Sequence, residues 1–122
     1  MGKKVVLIED ERNIIEAISF ILSRDGWEVK THSNGHDAME TLRARQPDLV
    51  ILDVMLPGKS GFDILQEIRG DAALGATPVL MLTARGQERD REMAERAGAS
   101  MFMTKPFSNT EVLEAVRALV DP

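Results

Sequence analysis

The stretch Pro47-Asp48-Leu49-Val50-Ile51-Leu52-Asp53-Val54-Met55-Leu56-Pro57-Gly58 decides the fold. Leu49 to Leu52 are all large aliphatics with no polar residue between them. Such a run, without alternation, reads as a strand buried on both faces. It ends on a carboxylate, Asp53, and Pro57-Gly58 then marks a loop. Strands of this kind belong to parallel sheets covered by helices. The flanking sequence should therefore alternate further apolar runs with amphipathic helices.

It does so in both directions. Upstream, Val5 to Ile8 is a second continuous apolar run. Ile14, Ile15, Ile18, Ile21 and Leu22 then fall on one helical stripe, and Gly26 ends that helix. Trp27 to His32 alternates and reads as a more exposed edge strand. Ser33-Asn34-Gly35 supplies turn and cap chemistry to a helix that carries Ala38 and Leu42 and stops before Pro47. Downstream, Phe62, Leu65 and Ile68 mark a helix closed by Gly70. Val79 to Leu82 is a strand ending at Thr83. A highly charged helix spans Gln87 to Ala97 and stops at Gly98. Its apolar face is little more than Met93, Ala94 and Ala97, which suggests weak anchoring. Met101 to Met103 is a short fifth strand. Ser108 and Glu111 form a capping-box pattern before a helix striped with Val112, Leu113, Val116, Leu119 and Val120. Five strand–helix units imply an α/β domain over residues 1–122, with a parallel sheet and helices on both faces.

Bulk properties narrow the function. The 122 residues are one domain's worth, enough for a core without metals or disulfides. A net charge of −5 with no Lys/Arg cluster makes a poor match for a nucleic-acid backbone. The absence of cysteine excludes thiol chemistry and thiolate metal sites. No apolar run is long enough to cross a bilayer, and the first strand starts too early for a signal peptide. Val6 breaks the myristoylation pattern that Gly2 would begin. The expected compartment is the cytoplasm. His32 and His36 read as ordinary surface residues, and the seven methionines mostly as core filler.

In parallel sheets, ligands bind outside the carboxyl ends of the strands. Strand one ends in Glu9-Asp10, with Glu11 next; strand three ends in Asp53; strand four ends in Thr83-Ala84; strand five runs into Lys105-Pro106. Acids, a hydroxyl and an ammonium thus converge on one edge. Carboxylates held that close repel unless a cation sits among them, and Mg²⁺ is the usual choice where phosphate is also bound. Lys105 is a point charge for a phosphate oxygen, Thr83 a neutral donor, and backbone N–H groups after Asp53 and at Ala84 could cradle the rest.

Ile8-Glu9-Asp10-Glu11, Leu52-Asp53-Val54-Met55-Leu56-Pro57-Gly58, Leu82-Thr83-Ala84-Arg85 and Thr104-Lys105-Pro106-Phe107 resemble the four signature segments of response-regulator receiver domains of two-component signalling. The resemblance covers nearly the whole chain, in order. It implies a flavodoxin-like sheet ordered 2-1-3-4-5. It implies that Asp53 accepts a phosphoryl group from a histidine kinase, a phosphotransfer protein or a small donor. It implies that Asp10, Asp53 and the Met55 carbonyl bind Mg²⁺ directly and Glu9 through water. Lys105 would pair with Asp53 and then with the phosphoryl group, beside the Ala84 N–H. Thr83 and Phe102 would form the switch, and the Lys105–Pro106 bond would be cis. The charged helix, strand five and the last helix would form the output face and, in one hypothesis, a phosphorylation-dependent homodimer. Within the family, the wording is most similar to receivers carrying a winged-helix DNA-binding domain. Where that subgroup has two acids joining dimer salt bridges, this chain has Ser100 and Met101. Arg91 and Glu111 remain as partners.

Other readings are weaker. An Asp-based phosphohydrolase of the haloacid-dehalogenase type needs a second Asp where Met55 stands, so turnover of a free substrate is not expected. A pseudo-receiver acting only as a binding module has no support from an intact Asp10, Asp53, Thr83 and Lys105 set. No Walker-type phosphate loop is present.

Overall fold

The computed structural model describes residues 3–84 and 88–120. Its elements alternate: β1 (Lys4–Ile8), α1 (Arg12–Arg24), β2 (Glu28–His32), α2 (Ala38–Arg45), β3 (Leu49–Asp53), α3 (Gly61–Gly70), β4 (Val79–Thr83), α4 (Glu88–Ala97), β5 (Met101–Thr104) and α5 (Asn109–Val120). All strands pair in parallel, in the order β2-β1-β3-β4-β5. The central strand β3 is buried along its whole length, Asp53 included, as its unbroken apolar run requires. Among the described residues, no helix is long and apolar enough to cross a membrane.

Strand periodicity divides the core in two. Val6, Ile8, Val50, Leu52, Val79 and Met81 point to one face, where Ala38 and Leu42 of α2, Ile64, Leu65 and Ile68 of α3, and Ala94 of α4 cover them. Val5, Leu7, Leu49, Ile51, Leu80 and Leu82 point to the other, under Ile18 and Leu22 of α1 and Val112 and Val116 of α5. The polar ends of β1, β3 and β4 are thereby left at one edge, with helices on either side.

Local chemistry sets several boundaries, and some differ from expectation. The edge strand begins at Glu28. Trp27 is instead the residue that closes α1: its N–H donates to the Leu22 carbonyl past Gly26, whose φ is +93°, and its ring packs into the second core. α2 is not capped by Ser33 or Asn34. Asn34 Oδ1 accepts the His36 N–H at 2.9 Å within the turn, and Asp37 stands at the N-cap without a side-chain cap bond. Gly70 ends α3 without a left-handed turn; the next residue, Asp71, is extended. β5 runs one residue further, to Thr104, because Thr83 and Thr104 keep the register with β4. The capping box forms as expected: Ser108 N–H donates to Glu111 Oε1 at 2.9 Å, and Glu111 N–H to Ser108 Oγ at 3.1 Å. Gln87 and Arg85 lie outside the described residues. Methionine is core filler only in part. Met39, Met81 and Met103 are buried, but Met55 is 74% exposed and Met93 45%.

Candidate functional site

The ends of β1, β3, β4 and β5 bring together Glu9, Asp10, Asp53, Thr83 and Lys105. Glu9 and Asp53 are buried, at 0% and 2% exposure, and Asp10 faces solvent. One carboxylate oxygen from each of Glu9, Asp10 and Asp53 lies within 4.8 Å of the others. That is near the span across one octahedral ion, about 4 Å at the Mg–O distance of about 2.0–2.1 Å. Glu9 is fixed by its own turn: Oε2 accepts the Asp10 and Glu11 N–H groups at 3.1 and 3.0 Å. Its buried Oε1 makes no directed hydrogen bond, although the Lys105 ammonium stands 2.9 Å away. Three carboxylates this close, two of them buried and sharing the Lys105 ammonium, suit a hard divalent cation with oxygen ligands.

Lys105 reaches the site from the loop after β5, where its peptide bond to Pro106 is cis, as the resemblance implies. Its N–H donates to the Thr83 carbonyl at 2.7 Å, tying the ends of β4 and β5 together. Its ammonium does not pair with Asp53 alone. Nζ lies 2.9 Å from Glu9, 3.1 Å from Glu11 and 3.4 Å from Asp53 Oδ1. Three carboxylates share one cation, and the shortest contact goes to the most buried of them. Burial pulls the Lys105 ammonium down, but Glu9, Glu11 and Asp53 outweigh it, and the net shift is upward. Asp53 behaves oppositely. Burial, then the Glu9 charge, push its carboxyl up to about 7 against the pull of Lys105 and the Met55 N–H. That N–H donates to Asp53 Oδ1 at 3.4 Å.

α3 begins close to the end of β3. Ser60 caps it by accepting the Asp63 N–H at 3.3 Å. Gly61 packs so tightly that a Cβ there would run into the Asp53 carbonyl oxygen. Thr83 is buried at 2% exposure, and Ala84 follows it at the surface. Phe102 lies further down β5, opposite Met81 in the register. It is half-buried, with the Arg91 guanidinium 5.2 Å from its ring centre. Within the chain, Arg91 covers Phe102 and Glu111 closes its own capping box.

Two residues escaped the sequence reading. His32 is not an ordinary surface residue. Its Nε2 lies 2.6 Å from Asp37 Oδ1, its Nδ1 lies 3.3 Å from Thr41 Oγ1, and its carbonyl accepts the Glu9 N–H. The hydrogen bond to His32 lowers the Asp37 pKa. Asp37 and Thr41, one helical turn apart, were the available signal. Arg69 was also missed. It donates to the carbonyls of Gly98 (2.8 Å), Gly75 (3.2 Å) and Thr77 (2.6 Å) and to Ser100 Oγ (3.2 Å), joining α3, the loop after it, the end of α4 and the start of β5. Among the described residues, no carboxylate pairs with it. Nothing in a helical Ile-Arg-Gly sequence announces such a role.

A doubly covered parallel sheet of this order, with buried acids and a lysine at its carboxyl edge, defines the flavodoxin-like receiver class. The family model for the response regulator receiver domain matches residues 5–117, and the chain belongs to that family. Similar solved structures agree. The BeF3-activated receiver domain of RstA from Klebsiella pneumoniae is 28% identical, with 98% of this chain and 99% of that one covered and a TM-score of 0.90. The chemotaxis response regulator CheY4 of Vibrio cholerae is 27% identical over 98% and 99%, with a TM-score of 0.92. The receiver domain of the sensor histidine kinase PA1611 from Pseudomonas aeruginosa, which holds a magnesium ion in its active-site cleft, is 25% identical over the full length of both chains, with a TM-score of 0.91.

Proposed function

We propose that this chain is a phosphoacceptor. Asp53 takes a phosphoryl group from a histidine kinase or phosphotransfer protein in the cytoplasm. The change is read through Thr83, Phe102 and the face built from α4, β5 and α5. The observation that carries this reading is the buried Asp53 carboxylate, 3.4 Å from Lys105 Nζ and clustered with Glu9 and Asp10. Asp53 forms the new O–P bond as the donor's bond to phosphorus breaks. Lys105 holds one phosphoryl oxygen, while the Thr83 hydroxyl and the Ala84 N–H receive others. Glu9, Asp10, Asp53 and the Met55 carbonyl would hold Mg²⁺, which supplies the positive charge that two reacting anions need. The magnesium in the PA1611 receiver supports that assignment. Lys105 then has to turn from Glu9 and Glu11 toward the phosphoryl group, a change its long flexible stem permits.

The chemistry is self-modification rather than turnover of a free substrate, since Met55 offers no acid or base beside Asp53. The wording of the four segments supports the winged-helix subgroup. In that subgroup, pairing of two phosphorylated copies through α4, β5 and α5 is expected. Intact mass after incubation with acetyl phosphate, with Mg²⁺ or chelator, tests the acceptor. One phosphoryl group should add, only with Mg²⁺ and not in Asp53→Ala. Failure of both acetyl phosphate and a phosphorylated kinase to label the protein would overturn the reading. Light scattering on the same adduct tests pairing; an unchanged mass would remove it.

A further inference from the structure

Thr83 and Ala84 border more than the acid cluster. On the side of α3 and α4 they help to line a cavity of about 350 Å³, together with Met55, Phe62, Asp90 and Met93. A second cavity, of about 210 Å³, also touches Phe62 and Met93, together with Gln66, Arg96 and Ala97. The first volume falls in the range of small-molecule sites, roughly 300–1,000 Å³, and such sites combine apolar walls with few polar groups. Met55 and Met93 are two of the large hydrophobic side chains that the described residues leave in water. Flexible thioethers of this kind adapt to apolar ligands. The tight start of α3 on Asp53 is what brings Phe62 alongside the acceptor loop.

We propose that this cavity is a leaving-group subsite for small acyl phosphate donors, and that it favours an apolar acyl group, aromatic or branched, over acetyl. The proposal rests on Asp53 being the acceptor. An Asp53 oxygen bonds to phosphorus, the bond from phosphorus to the acyl oxygen breaks, and the acyl carboxylate leaves as an anion with the electron pair, needing no proton. The phosphoryl group occupies the ground between Asp53, Thr83 and Lys105. In-line displacement sends the acyl group away from Asp53, and the proposed subsite places it past Met55 and Ala84, both of which line the cavity. Asp90 is the carboxylate in the lining, so it disfavours acyl groups that bring a second negative charge.

The test compares labelling rates with acetyl phosphate and benzoyl phosphate, in Mg²⁺ buffer, by intact mass. Benzoate and acetate differ as leaving groups, so the quantity read is the benzoyl-to-acetyl ratio in the protein against that in Met93→Glu and Met93→Ser. Met93 lies half-exposed on a helix, and its replacement leaves the core intact. The ratio should fall about tenfold in Met93→Glu, the equivalent of ~1.4 kcal/mol, and less in Met93→Ser. In the unsubstituted protein, phenylphosphonate should shift the methyl NMR signals of Met55 and Met93 and leave those of Met39 and Met81 in place. Labelling by both donors with an unchanged ratio overturns the subsite alone. Labelling by neither donor, nor by a phosphorylated kinase, overturns the phosphoacceptor reading and this inference with it.

Discussion

α1 and α4 cover the same sheet from opposite faces, and they hold to it differently. α1 buries Ile18, Ile21 and Leu22, and half-buries Ile14 and Ile15. α4 buries Ala94 fully, half-buries Ala97 and leaves Met93 in solvent. The apolar area removed from water, and with it the main source of helix anchoring, lies far on the side of α1. α4 relies on polar and cation–π contacts in compensation. Arg69 grips the Gly98 carbonyl just past its end, and Arg91 covers Phe102 on the neighbouring strand. A helix held by a few directional contacts can change position when one of them changes. A helix held by a broad apolar stripe cannot.

Three substitutions sharpen or break this contrast. The largest effect is expected from Leu22→Ala. It removes a fully buried side chain from the α1 stripe and should destabilise the protein by about 2–5 kcal/mol in denaturant unfolding. A loss as small as that of a surface alanine substitution would show that α1 is not the better anchored helix. Arg69→Met comes next. It leaves the carbonyls of Gly75, Thr77 and Gly98 without their donor, at a cost of about 1–3 kcal/mol. Hydrogen exchange should report faster opening of α4 amides with those of α1 unchanged, and already in the unsubstituted protein α4 should open more readily than α1. Equal protection of the two helices would remove the contrast.

The smallest effect concerns Asp71, just past α3. The Arg43 side chain, followed by the Ala73 N–H, holds its carboxyl below the ordinary value of 3.8. A lowered pKa in the folded state contributes stability that is fully present above the unfolded value and is lost as pH falls through the folded one. Asp71→Asn should therefore lower Tm slightly near neutrality. The gap to the parent should narrow as pH falls below about 4; a gap that widens toward acid would contradict the assigned direction.

Much of the site was legible because each of its parts sits at a strand end. Leu52 to Asp53, Leu82 to Thr83 and Ile8 to Asp10 each carry an abrupt change from apolar to polar, and in a parallel sheet those changes gather at one edge. The capping box at Ser108 and Glu111 was legible for a similar reason, since both partners lie within one turn. Misplacements were local competitions. Trp27 reads as strand by alternation, but its N–H is taken by the end of α1. Asn34 reads as cap chemistry for α2, but its side-chain oxygen is taken by the His36 N–H within the turn.

The sequence by itself determined the alternation of strands and helices, the doubly buried central strand, and the identity of the acids, hydroxyl and lysine at the sheet edge. Those follow from periodicity and local polarity, which a short window carries. Only the tertiary structure decided that Lys105 reaches Glu9 and Glu11 as well as Asp53, that Arg69 ties α3 to the end of α4, and that Met55, Phe62 and Met93 enclose a cavity. Those contacts join side chains as far as 94 residues apart. Their distances are set by how the helices seat on a twisted sheet, and no local pattern encodes that.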